Sequence, residues 1–486
     1  MRTSFLLSVL LSFFSLSAAQ ETIKQSHLKE HVYYLASEEL KGRDSGTEGQ
    51  KKAAAYIAAQ FKKAGLKTFP GGSEDYYQKF VLTKKNLASG YLYSAKDSFF
   101  VNYISSKEPQ TENQKFLLIP PKAEVPAGNL ETTAVIIPES LKKLNESAEK
   151  LEAENFKQIL VIIRESSVRP YFNHYKKNMA RLHLQNKLSE NYFEEIEKLS
   201  SEIDFIFLPE ADFASLFNLD EAQADKLLTA REVIPLEGQV RNRYRATESK
   251  EIETENVVAY IEGKDRENCI VITAHYDHIG ETTKGINYGA DDNASGTAAL
   301  IELAKAFAHS ETPPEKSIVF LAVSAEELGL WGSKYFTESP WFDTFNYVLN
   351  INMDMIGKSV KYNMISAMAL RESKDFSEDT TLREDYVYLN GYGKKTSALI
   401  RQSKRFARKT YDFKVDRTPG VLVRMTYKVA SDHYNFAQKN VPVLVFFTGL
   451  HPDYHSPRDT PEKLDYENMT IIAKIIYHSI QRRMKM

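Results

Sequence analysis

Apolar and polar positions along this chain fall into two periods, and the places where the period changes mark its organisation. After residue 255, short and nearly continuous apolar runs recur at 256–261 (NVVAYI), 269–274 (CIVITA), 317–323 (SIVFLAV), 347–353 and 441–447 (VPVLVFF). Apolar runs of this length, bounded by polar residues, predict buried strands. Between and after them, apolar residues return every three or four positions at 296–309, 328–336 and 468–483, which predicts helices; 397–411 reads as a basic helix, and 364–370 as a further strand. Near the start, 26–40 and 49–64 read as helices separated by Lys41-Gly42-Arg43-Asp44-Ser45-Gly46, and the alternation of YYQKFVLT (76–83) predicts a first strand. Strands apolar on both faces, alternating with helices, predict an α/β fold with a mostly parallel mixed sheet covered by helices on both sides.

Residues 92–252 have a different texture. Strand candidates at 117–120, 133–138, 158–163 and 203–209 alternate with charged helical runs at 140–153 and 188–199. None of these strands ends on a group of metal-ligand residue types. The pattern predicts an inserted α+β domain within a catalytic domain made of 20–91 and 253–486. Residues 1–19 read as a signal peptide: Arg2, an apolar core at 5–16, then Ser17-Ala18-Ala19 as the expected small-residue cleavage site. The core is shorter than the ~20 residues a membrane span needs. The mature chain is therefore expected to be exported, periplasmic or extracellular, with no stable membrane anchor. The formal net charge of -2 gives no electrostatic case for nucleic acid. The single cysteine, Cys269, excludes an internal disulfide and reads as packing within a buried strand.

Chemistry gathers at the ends of the predicted strands. His275, Tyr276, Asp277 and His278 follow one, Glu326 and Glu327 the next, and Asp354 a third. The loop 449–459 after the last strand carries His451 and His455, while Asp291-Asp292-Asn293 precede a helix beginning near Gly296. Singly, each has an ordinary structural explanation, such as a helix cap or a charge favoured at a helix N-terminus. An aspartate in an apolar run is more pointed, because a buried carboxylate is costly unless paired or metal-bound. Together the residues place nitrogen and oxygen donors at one edge of one sheet, where open α/β sheets present ligands. Two histidines and three carboxylates suit two zinc ions; if Asp291 bridges, each ion has one histidine and one carboxylate of its own, and a metal-bridging hydroxide completes the sites. One glutamate of the 326–327 pair is then free to act as general base. Asp277 is positioned to accept the second N–H of His275. The residue pattern alone does not choose between His451 and His455.

These motifs resemble the exported di-zinc aminopeptidase family, whose relatives include glutamate carboxypeptidase and the glutaminyl cyclases. The resemblance rests on HYD (275–277), GADDNASG (289–296), EELGLWG (326–332), NMD ending at Asp354, and YHSPRD (454–459), with support from YLASEELKGRDSGTEGQKKAAAYIAAQFKKAGL, NVVAYIEG and SDHYNFAQKNVPVLVFF. It covers roughly 25–90 and 255–480. It implies that His275 and Asp354 hold one zinc, Glu327 and His455 the other, that Asp291 bridges them, that Glu326 is the general base and that Asp277 orients His275. It also implies a cis peptide at Asp291–Asp292 and, in the middle region, either a protease-associated domain or a lineage-specific lid. The expected activity is removal of N-terminal residues from peptide substrates. Alternatives are a glutamate-type carboxypeptidase, a glutaminyl-cyclase-like acyltransferase, and a binding protein on the same scaffold. The basic stretch 394–414 reads either as an electropositive rim or as a solvated helix face.

Overall fold

The computed structural model describes residues 22–84, 250–282, 285–360, 383–394, 396–418 and 428–484, with separated segments between 88 and 245. The expected leader at 1–19, the strand at 364–370 and the helix at 188–199 lie outside the described residues. The chain divides into two compact units, one of them Leu82–Glu251 and the other the remainder. The first break thus falls at Leu82 rather than near residue 92.

The larger unit is built on β1 (Tyr77–Lys84), β2 (Lys250–Ile261), β3 (Asp265–His275), β4 (Lys316–Val323), β5 (Asn346–Met353), β6 (Tyr386–Tyr392), β7 (Lys414–Asp416) and β8 (Val443–Phe447). Their order in the sheet is β7-β6-β8-β5-β3-β4-β2-β1. Strands β4, β3, β5 and β8 run parallel. Strands β2 and β6 flank them antiparallel, against β4 and β8. The helices are α1 (Gln25–Leu35), α2 (Glu48–Lys63), α3 (Gly296–Ala308), α4 (Trp331–Glu338), α5 (Thr396–Tyr411), α6 (His433–Gln438) and α7 (Tyr466–Met484).

Alternation along the buried strands supplies both faces of the sheet. Ile270, Ile272 and Ala274 of β3 pack into one core with residues of α1, α2, α3 and α7. Cys269 and Val271 point the other way, into a core closed by Phe336 of α4 and Phe436 of α6. Being buried on both faces is why these strands read as unbroken apolar runs. Because the four central strands are parallel, their C-terminal ends, at His275, Val323, Met353 and Phe447, lie along one edge.

The smaller unit has its own sheet. Its central strands, Lys115–Leu118, Thr132–Ile136, Gln158–Ile163 and Asp204–Pro209, are parallel neighbours. They close a core of Phe116, Val135, Leu160, Ile162, Leu208 and Phe213. The helix Glu221–Leu228 begins with a reciprocal capping box between Asp220 and Gln223. Among the described residues, no helix is long and apolar enough to cross a membrane.

Candidate metal centre

Two groups of donors converge where β3, β4 and β5 end. His275, Glu326 and Asp354 each offer an atom within 4.8 Å of the others, and so do His278, Asp292 and Glu327. Asp292 joins the groups. Its Oδ1 lies 3.3 Å from His275 Nε2, which is itself 3.4 Å from Asp354 Oδ1. On the other side, Asp292 Oδ2 lies 3.0 Å from His455 Nε2, which is 3.1 Å from Glu327 Oε2. His278 Nδ1 approaches Glu327 Oε1 to 2.8 Å.

Of the residues expected from sequence, the structure brings together His275, Glu326, Glu327, Asp354 and His455. It places Asp291 elsewhere. Asp291 Oδ1 accepts a 2.6 Å hydrogen bond from the Gly357 amide, and Oδ2 faces His451 Nε2 at 3.2 Å. The residue between the clusters is Asp292, one position later, and the cis peptide is Asp292–Asn293 rather than Asp291–Asp292. The backbone turn decides this. Asp459 accepts hydrogen bonds from the amides of both Asp291 and Asp292, at 3.0 to 3.1 Å, and so fixes which carboxylate faces the strand ends. His451, the other histidine of the loop, sits against Asp291 and not in the centre.

Asp277 also differs in its contacts. His275 Nδ1 lies 3.2 Å from the Asp277 backbone carbonyl, and its carboxylate Oδ1 is farther, at 3.8 Å. The carboxylate instead accepts the amides of Glu326 and Glu327 at 3.1 and 3.4 Å, and the Ser45 hydroxyl at 3.1 Å. Asp277 therefore steadies the imidazole through its main chain and the paired glutamates through its side chain.

Local structure aims the donors. The turn 291–295 is stitched to the end of β5: Asn293 donates to the Met353 carbonyl and accepts from the Met355 amide, and Ser295 accepts from the Ile356 amide. Thr297 of α3 donates to the His275 carbonyl at 2.7 Å. Ala325, Met355 and His455 hold left-handed backbone, at φ of 58°, 55° and 54°. Non-glycine residues adopt this region at a cost on the order of 1 kcal/mol or more, and such outliers gather at functional sites. Each of the three carries or adjoins one of the converging donors.

The electrostatics divide the two adjacent glutamates. Burial pushes the Glu326 carboxyl well above its usual range; His275 opposes, and Glu327, Asp432 and Asp354 add to the rise. Burial acts on Glu327 too, but the His455 and His278 imidazoles outweigh it and hold that carboxyl at about 2. Neighbouring carboxyls driven apart in this way mark different roles. Asp432, at the start of α6, is a further buried carboxyl beside the centre, pushed up to about 6 mainly by burial.

The donor set fits metal ions. Asp292 Oδ2 is buried and accepts no well-directed hydrogen bond, although an imidazole nitrogen lies 3.0 Å away. Several carboxylate oxygens and imidazole nitrogens thus crowd within 3.0 to 3.4 Å of one another around Asp292, His275 and His455. Carboxylate oxygens and imidazole nitrogens are the donors zinc accepts. Sequence reasoning named Asp291 rather than Asp292 as the shared carboxylate, and it noted His278 at a strand end without giving it a role. The only signal for His278 was a second histidine three positions past the end of a strand.

The fold and the paired clusters together set a candidate two-metal site at the C-terminal edge of an α/β sheet. Residues 256–480 match Peptidase family M28. Aminopeptidase YwaD of Bacillus subtilis (strain 168) is 24% identical over 45% of this chain and 42% of that protein. A probable zinc metalloprotease of Pyricularia oryzae is 39% identical over 22% of each chain. The chain thus spans less than half the length of these curated relatives. An aminopeptidase from Aneurinibacillus sp. strain AM-1, of known structure, shares the fold, with a TM-score of 0.54 at 16% identity, covering 95% of this chain and 94% of that one.

Proposed function

We propose that the protein is an exported zinc-dependent aminopeptidase that removes N-terminal residues from peptides. The observation that carries this is one carboxylate, Asp292, held between two clusters of metal-type donors, with Glu326 in the first. The names of the relatives, an aminopeptidase and a zinc metalloprotease, support the same reading. His275 and Asp354 would hold one zinc, Glu327 and His455 the other, and Asp292 would serve both. When bound, two zinc ions make water acidic near neutral pH and polarise a peptide carbonyl.

The chain's own residues do the rest. Glu326, desolvated and within 4.8 Å of His275 and Asp354, accepts the proton of the attacking water and delivers it to the departing amine. Asp277 holds the Glu326 and Glu327 amides, so the base and its neighbouring ligand keep their separation. The carboxylate-rich surroundings favour a substrate bearing a free α-amine over an N-blocked one.

Zinc content and hydrolysis of a panel of aminoacyl-arylamides, measured beside a Glu326→Gln variant, test the proposal. The expected result is about two zinc ions per chain, turnover abolished by chelator, and a variant that keeps metal without turnover. One zinc, with pyroglutamyl product released from glutaminyl peptides, would make the chain a cyclase. No metal and no turnover would make it a binding protein.

A further inference from the structure

The segment KGRDSG (41–46) lies outside the M28 match and has no part in the mechanism above, yet it runs alongside the loop that joins His275 to the Asp292 turn. Arg43 is completely buried and has left-handed backbone, at φ 53°. Its Nε donates to the Tyr276 carbonyl at 2.7 Å, one residue beyond His275. Its two Nη atoms donate to the carbonyls of Tyr288 and Gly289 at 2.8 and 2.9 Å, just before the Asp292 turn, and also to the carbonyl of Leu35. One planar guanidinium thus spans both ends of the loop, and its fixed fork sets the distance between them.

The main chains add to this. The His278 and Gly280 amides donate to the Arg43 and Gly42 carbonyls. A Cβ on Gly42 would lie 2.3 Å from the Asn287 carbonyl oxygen, and one on Gly280 would lie 2.6 Å from the Asp44 side chain. Both glycines have φ near 80° or below in the left-handed region, so the two runs touch with no side chain between them. Two positions further, the Ser45 hydroxyl donates to Asp277, whose carboxylate receives the Glu326 and Glu327 amides.

We propose that Arg43 and Ser45 are positioning residues of the metal centre: Arg43 fixes the spacing of the His275 and Asp292 donors, and Ser45 fixes the paired glutamates through Asp277. This rests on the reading of the clusters as metal sites. One of these contacts, to the Leu35 carbonyl, ties down the end of α1; the others go to the two ends of one donor-bearing loop and to the carboxylate beneath the base, which holding α1 to the sheet would not require.

Arg43→Lys and Ser45→Ala, in the full chain, test it. Lysine keeps the charge, but a single ammonium cannot reach carbonyls at both ends of the loop. Zinc affinity by chelator competition, kcat and KM, and thermal midpoint are read for each variant. The expected Arg43→Lys result is zinc affinity and kcat lowered by about 10- to 100-fold, the range for groups that orient metal ligands, with KM little changed. Should Arg43→Lys fail to fold, Ser45→Ala removes one hydroxyl and carries the test: kcat falls severalfold at unchanged KM and unchanged thermal midpoint. Variants that lose only thermal midpoint, with wild-type zinc affinity and kcat, overturn the proposal. A wild-type chain that binds no zinc overturns the metal reading and this proposal with it; a wild-type chain that binds zinc beside unaffected variants overturns this proposal alone.

Discussion

Adjacent aspartates with different duties give the sharpest test of the centre. Asp292 presents Oδ1 to the His275 side and Oδ2 to the His455 side, so Asp292→Asn weakens an anionic donor in both clusters. Four-donor zinc sites bind with about 10–16 kcal/mol. A quarter of that, about 3 kcal/mol for each cluster, corresponds to a roughly 100-fold loss of affinity at both. Asp291→Asn changes the same atoms one residue earlier. Its Oδ1 can still accept the Gly357 amide, and its new amide can face His451 Nε2, so the cost is confined to exchanging a charged acceptor for a neutral one, about 1–2 kcal/mol of stability. Metal content after dialysis against a buffered zinc concentration, together with denaturant unfolding, separates the two. The expected pattern is Asp292→Asn depleted of both ions and Asp291→Asn fully loaded but less stable. Loss of metal in Asp291→Asn, with retention in Asp292→Asn, would refute the geometry argued above.

Three further outcomes follow from the same structure. Glu326→Gln is expected to keep its zinc and lose about 10²- to 10⁴-fold in kcat, the usual share of a general base; steady-state kinetics beside metal analysis reads both. His278→Ala removes the 2.8 Å partner of Glu327 Oε1 and should weaken the second ion by about 10- to 100-fold while sparing the first, so titration with chelator should become biphasic. Far from the centre, Glu302 of α3 is buried and meets His27, His31 and Lys305. Burial alone would raise its carboxyl, but His31 and Lys305 hold it at about 2. A folded pKa below the unfolded one contributes stability above about pH 4.5 that is lost as pH falls through about 2. The 4.5-to-2 shift corresponds to at most about 3 kcal/mol. Glu302→Gln should therefore be less stable than wild type at pH 7, with the gap closing toward pH 2 in calorimetric unfolding.

The central sheet was legible because parallel strands buried on both faces advertise themselves as apolar runs. Strands expected at 269–274 and 317–323 are β3 and β4, and the helix expected at 397–411 is α5 within one residue. β6, Tyr386–Tyr392, was missed because YVYLNGY mixes polar and aromatic residues, as suits a strand flanking the parallel core rather than lying within it. The first helix was read to residue 40 but ends at Leu35, where the chain tightens into a 3₁₀ turn over Glu38–Arg43 that the left-handed Lys41, Gly42 and Arg43 complete. Donor residue types were readable from strand ends. Which of two neighbouring aspartates faces the centre was not, because that is set by a turn whose amides are held by Asp459, far away in sequence. His278 left no period or motif to read, since its role depends on the loop folding back beneath Glu327.

The strand order has a consequence for how the protein comes into being. β8 is made after β5 and β6, yet it lies between them in the sheet. During synthesis β5 therefore waits with an unpaired edge, and β6 has no neighbour on that side; open edges of this kind invite pairing with other chains. His455 lies in the loop that follows β8, so the second cluster cannot close until that late strand has been inserted. A nascent or C-terminally truncated chain would carry His275, Asp292 and Glu326 and still lack a finished centre. The second donor cluster is therefore completed only when β8 is inserted and brings the loop that carries His455 against Asp292 and Glu327.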